Sequence, residues 1–116
     1  MSAHHHINYI EFADKDLSAT KTFFIKVFNW QFTDYGPEYS AFANSGIAGG
    51  FYQAPLAADT AKGSPLVVLF SDTLESTRQD VLDAGGIIVK DIFSFPGGRR
   101  FHFTEPSGNE LAVWSE

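Results

Sequence analysis

Tyr9-Ile10-Glu11-Phe12-Ala13-Asp14-Lys15-Asp16-Leu17 reads as a strand passing through a capped turn into a helix, and the same transition returns later in the chain. Ile7 to Phe12 alternates apolar and polar side chains well enough for a strand. Asp14 and Asp16 supply turn and cap chemistry, because a short carboxylate can accept the free N–H groups at a helix start. From Leu17 to Phe28 the residues Leu17, Phe23, Phe24, Val27 and Phe28 recur at helical spacing, so this stretch is an amphipathic helix.

Working outward, Trp30 to Tyr35, Tyr39 to Ala43 and Ile47 to Gln53 are short aromatic or β-branched runs. Gly36-Pro37 and Asn44-Ser45-Gly46 separate them as hairpin turns. The first half is therefore β-α-β-β-β. Ala54 to Ser64, rich in small residues, reads as a linker. A second unit follows: a strand over Pro65 to Phe70, a helix from about Leu74 to Ala84 capped by Asp72-Thr73 and stopped by Gly85-Gly86, then strands at Ile87 to Ile92, Arg99 to Thr104 and Glu110 to Trp114. Leu17 and Leu74, Thr20 and Thr77, Lys21 and Arg78, and Tyr9 and Leu66 all stand 57 residues apart. One constant offset across several features indicates an internal duplication. We expect an α+β fold: one domain over 1–116, with module one at about 7–53, a linker at 54–64 and module two at about 65–115. Each module makes a curved sheet with its helix on one face, and the pair forms an eight-stranded sheet around a trough.

The bulk numbers narrow the function. A chain of 116 residues with 44% hydrophobic content supports one core and excludes global disorder. The net charge of -6 argues against a nucleic-acid binder, which needs a basic field. Absence of cysteine removes disulfides, thiolate nucleophiles and Cys-ligated metals. No apolar run suits a membrane span, and the residues from Met1 to His6 lack the pattern of a signal peptide, so a cytoplasmic location is the expectation. His4, His5 and His6 read as a solvated tail. The twelve Phe, four Tyr and two Trp exceed what a minimal core needs, which leaves some for a pocket or an interface.

The tandem pattern resembles the vicinal oxygen chelate superfamily, which includes glyoxalase I, bleomycin-resistance proteins and extradiol dioxygenases. Two stretches sharpen the likeness. One is the opening strand and Asp16-Leu17 helix start. The other is Phe103-Thr-Glu-Pro-Ser-Gly-Asn-Glu-Leu111, similar to the family's Phe-x-Asp-Pro-x-Gly-Asn turn, with Glu105 where Asp is usual. Physically that turn suits a hairpin, since Gly108 supplies a positive-φ position. The resemblance implies a glyoxalase-like fold in which four side chains can hold one divalent ion. Carried over by position, those places fall on Tyr9, on Gly49 or Gly50, on Leu66 and on Ala112. Tyr, Gly, Leu and Ala are not a metal-ligand set. We expect no metal and no cofactor.

With Tyr9 facing the trough, strand alternation places Ile7 and Glu11 beside it, with Leu66, Val68 and Phe70 in the fifth strand and Glu110, Ala112 and Trp114 in the last. If Phe101 and Phe103 pack under the helices, Arg100, His102 and Thr104 face inward. Glu11 and His102 are the candidate catalytic pair; Tyr9, Tyr52, Leu66, Val68, Arg100, Ala112 and Trp114 are candidate ligand contacts. His102 could equally be a strand histidine satisfied by a neighbour such as Glu11, and Glu11 could be half of a salt-linked pair. Gly97-Gly98-Arg99-Arg100 is no phosphate loop; it reads either as a flexible lip whose cations receive an anionic ligand or as a hairpin with solvated arginines, the second favoured for Arg99 and the two even for Arg100. The leading reading is a metal-free protein that binds a small organic molecule in the trough as a homodimer, with no nucleic-acid or membrane partner. The alternatives are a lyase or isomerase using Glu11 and His102 without metal, a module whose trough is an interface, and, should the register differ, a metal-dependent glyoxalase or dioxygenase. Whether the chain turns a substrate over stays open.

Overall fold

The computed structural model describes residues 2–116; Met1, which the reading of the N-terminus included, lies outside them. Module one runs β1 (Tyr9–Asp14), α1 (Leu17–Phe28), β2 (Gln31–Asp34), β3 (Tyr39–Ala43) and β4 (Ala48–Gln53). Module two runs β5 (Val67–Phe70), α2 (Leu74–Asp83), β6 (Ile87–Phe95), β7 (Gly98–Thr104) and β8 (Glu110–Ser115). A short 3-10 turn at Thr60–Lys62 interrupts the linker. Asp16 caps α1 by accepting the Ala19 N–H, and Asp14 in turn accepts the Asp16 N–H. The start of α2 differs from expectation. Thr73 is its cap residue but makes no side-chain bond to the helix, and Ser71 Oγ accepts the Thr73 N–H instead.

The eight strands divide into two hydrogen-bonded sheets of four, ordered β1-β4-β3-β2 and β5-β8-β7-β6. In each, the first strand lies parallel to the last, as a helical crossover requires. The duplication is visible in side chains too. Lys21 bonds Asp34 at 3.0 Å, and 57 residues on, Arg78 bonds Asp91 at 2.7 Å.

A single core underlies both sheets. Phe24 stacks on Trp30, with ring centres 4.4 Å apart, and packs on Phe51. Its neighbour Phe23 reaches Phe103 of the second module at 5.8 Å. Phe12, Phe42, Phe51, Phe101 and Phe103 are all buried on the helix side. Much of the aromatic excess is therefore core, where large rings cover the most apolar area per residue. Phe101 and Phe103 are fully buried, so Arg100, His102 and Thr104 do point to the opposite face.

The β7–β8 turn does more than reverse the chain. Asn109 Nδ2 donates to the Ala13 carbonyl at 2.9 Å, and its Oδ1 accepts the Ala58 N–H at 2.7 Å. Ser107 Oγ donates to the Asp16 carbonyl. The turn thus ties the second module to the start of the first.

Candidate functional site

Each sheet presents a face away from the core. On the first, register pairs Glu11 with Gly50, Ala13 with Tyr52, and Tyr39 with Tyr52, so Tyr9, Glu11, Tyr39 and Tyr52 share a side. Tyr39 donates its hydroxyl to Glu11 Oε2 at 2.9 Å and also bonds the Tyr9 hydroxyl. Desolvation, helped by the bonds to Tyr9 and Glu11, holds the Tyr39 phenol protonated well above its ordinary range. The register settles which glycine faces outward. A Cβ on Gly50 would lie 2.1 Å from the Tyr39 hydroxyl, whereas one on Gly49 would strike the Ile10 carbonyl and the Phe42 ring on the core side. Gly50 is therefore the open-face residue, and the phenol of Tyr39 fills the space its side chain would take.

On the second sheet, Val68 and Phe70 stand opposite Ala112 and Trp114, and these in turn stand opposite His102 and Arg100. Lys90 and Phe93 of β6 complete the row beside them. Leu66 lies just before β5 rather than within it. His102 is only 9% exposed, and its Nδ1 lies 3.6 Å from Glu110 Oε2, an electrostatic contact rather than a hydrogen bond. The carboxylate favours the proton on Nδ1, leaving Nε2 as a buried lone pair without a partner. Burial is the main reason the imidazole titrates below its ordinary value, and Arg100 and Lys90 add to it while Glu110 opposes. Burial pushes the Glu110 carboxyl up, but the N–H and hydroxyl of Thr60 and the nearby His102 outweigh it and hold the group below its usual value. Beside Lys90, Thr104 and Glu110 opens a hollow of about 440 Å³.

The candidate residues separate into two sets. Glu11 pairs with Tyr39, and His102 pairs with Glu110. Among the described residues, no hydrogen bond, ion pair or ring contact joins Tyr9, Glu11, Tyr39 or Tyr52 to Arg100, His102 or Trp114. Arg99 is bound to Glu75 through both terminal nitrogens, so it is no free cation. Tyr39, Lys90, Phe93 and Phe95 were not singled out from sequence. Pairing β3 with β4 across the Asn44-Ser45-Gly46 turn would have set Tyr39 opposite Tyr52, but bulges in β6 between Ile88 and Phe93 break the period that points to the others.

The positions onto which the resemblance carries the family's ligand places are Tyr9, Gly50, Leu66 and Ala112, and none of these side chains is an imidazole or a carboxylate. Among the described residues, no group of three or more His, Asp or Glu comes together in a form that could hold a metal. No helix among them is long and apolar enough to cross a membrane.

Solved structures share this fold. A glyoxalase-related enzyme from Fulvimarina pelagi superposes with a TM-score of 0.79 at 17% identity, covering 97% of this chain and 88% of that one. The genomically encoded fosfomycin resistance protein FosX from Listeria monocytogenes gives 0.79 at 14% identity, covering 100% and 95%. Lactoylglutathione lyase from Agrobacterium tumefaciens gives 0.71 at 13% identity, covering 96% and 93%. No curated protein sequence matches the chain. Residues 6–113 match the Glyoxalase/Bleomycin resistance protein/Dioxygenase superfamily, and the chain belongs to that family.

Proposed function

We propose that this chain is a metal-free binding protein that holds a small organic molecule on its open sheet faces, closed by a second copy of itself. The observation that carries the reading is the occupancy of the four ligand places by Tyr9, Gly50, Leu66 and Ala112, with the Tyr39 hydroxyl lodged over Gly50. A mixed apolar surface with a few polar groups is retained around them, which is the make-up of a small-molecule site.

Exposure and charge support the second copy. Tyr9 and Tyr52 on the first sheet are 45% and 40% exposed, and Val68 and Phe70 on the second are 42% and 50% exposed, so each open face offers apolar surface for a partner to cover. One face carries Glu11 among phenols and the other carries Lys90, so module one of one copy complements module two of another. Metal analysis of protein lacking His4 to His6, run beside light scattering for mass, tests the proposal. A metal-free dimer supports it, and stoichiometric metal overturns it.

A lyase or isomerase is the second reading, favoured by the unpartnered lone pair of His102 Nε2, which could take a proton from a bound substrate. Any turnover by this route disappears in His102→Ala.

A further inference from the structure

Among the described residues, no carboxylate holds Arg100 on the second face. Its guanidinium lies 5.3 Å from the centre of the Phe93 ring and 5.4 Å from that of Phe95. Aromatic rings on either contact fix such a group and lower its hydration without neutralising it. Its Nε is buried with no hydrogen-bond partner, and its terminal nitrogens make no hydrogen bond among the described residues. Every other cation that bonds a carboxylate does so elsewhere: Lys21 to Asp34, Arg78 to Asp91 and Arg99 to Glu75. An unmatched buried donor in a folded protein calls for a partner.

Three neighbours describe what that partner looks like. Lys90, over the Phe93 ring at 4.3 Å, adds a second positive charge to the row. Glu110, the carboxylate on this face, is occupied by Thr60 and His102. Trp114 stands directly across from Arg100 in the sheet, edge-on to the half-exposed Phe70 with centres 5.2 Å apart and 6.4 Å from Phe95. Buried Nε2 of His102, two residues along the same strand, is a further polar atom without a partner.

We infer that the face built by Arg100, Trp114 and Phe70 binds a planar aromatic carboxylate, with the carboxylate on the Arg100 guanidinium and the ring against Trp114 and Phe70. A guanidinium fork matches a carboxylate in two parallel hydrogen bonds, and stacking suits a flat ring. This rests on the proposed small-molecule reading and specifies the class of ligand. It also explains how a chain of net charge -6 offers a local site to an anion: the carboxylates of Glu110 and Asp91 on these strands are already bonded.

Benzoate and its neutral isostere benzamide test it by calorimetry and by the NMR signals of the Arg100 Nε–H and the Trp114 indole N–H. Benzoate should bind saturably and at least about tenfold more tightly than benzamide, the loss expected when one charge-assisted pair is removed. Arg100→Met, which keeps an apolar stem against the two rings, should abolish that preference. Arg100→Lys, as a second variant that preserves the charge, should retain part of it. Equal binding of both probes, weakened alike by Trp114→Ala, would overturn the carboxylate inference and leave the small-molecule reading standing. Absence of saturable benzoate binding by the wild-type protein would overturn it as well.

Discussion

Thr20 Oγ1 of α1 donates to Glu105 Oε2 at 2.7 Å, across 85 residues of sequence, and so joins the two modules through one buried carboxyl. The other oxygen of Glu105 accepts the Asn109 N–H at 2.7 Å. Thr20 also bonds Ser107 at 2.9 Å, and Asp14, itself fully buried, stands close enough to repel the charge on Glu105. Burial dominates this balance and pushes the Glu105 carboxyl up from 4.5 to about 7, although the Asn109 N–H, the Thr20 hydroxyl and the Ser107 N–H favour the ionised form.

Stability should therefore fall as pH rises through this range. Between pH 4.5 and about 7 the folded chain keeps a proton on Glu105 that the unfolded chain has released, so the contribution is fully present below 4.5 and lost as pH approaches and passes 7. The full excursion is on the order of 3 kcal/mol. Urea unfolding at pH 5 and pH 8 should show Glu105→Gln with a flatter profile than wild type; an unchanged slope would refute the assignment.

Asn109→Ala should cost roughly 2–3 kcal/mol, because it strands the Ala13 carbonyl and the Ala58 N–H that the side chain satisfies. Gln79→Ala serves as the control. Gln79 bonds Asp83 on the exposed side of α2, where a single helical pair contributes only about 0.2–0.5 kcal/mol. Thermal midpoints of the two variants should differ clearly in that order.

Gly49→Ala and Gly50→Ala, adjacent in sequence, should differ in kind. At Gly49 the new methyl meets the Ile10 backbone carbonyl at 2.1 Å and the Phe42 ring at 2.3 Å, neither of which can withdraw without opening the sheet. At Gly50 it meets the far end of the Tyr39 side chain, which can swing away. We expect Gly49→Ala to destabilise by about 2 kcal/mol or more and Gly50→Ala by about 1 kcal/mol or less. The second variant should instead break the Tyr9–Tyr39–Glu11 bonds, visible as a change in tyrosine absorbance on alkaline titration.

NMR of His102 should show a neutral imidazole with its proton on Nδ1 at pH 7, titrating below 6.5. A histidine with a lowered folded value contributes stability that is present above the unfolded value and is lost as pH falls through the folded one. Arg100→Met should raise the titration midpoint by removing a neighbouring positive charge, and Glu110→Gln should lower it. Opposite shifts would show that these groups do not face the imidazole.

What sequence alone determined was local and repeated: the capped start of α1 at Asp16-Leu17, the stop at Gly85-Gly86, and the 57-residue offset that made two β-α-β-β-β modules out of one chain. Periods of two and 3.6 residues also told Arg100 and His102 from Phe101 and Phe103, because side-chain direction follows from backbone geometry within one element. Only tertiary structure decided that Glu11 bonds Tyr39 rather than His102, that Gly50 and not Gly49 faces outward, that the Glu105–Asn109 turn ties one module to the other, and that Arg100 lies over Phe93 and Phe95. Those choices depend on pairing register, on bulges within β6, and on contacts between residues as far apart as 96 positions. Periodicity carries no information about such distances, since it describes how one segment faces and not which other segment it meets.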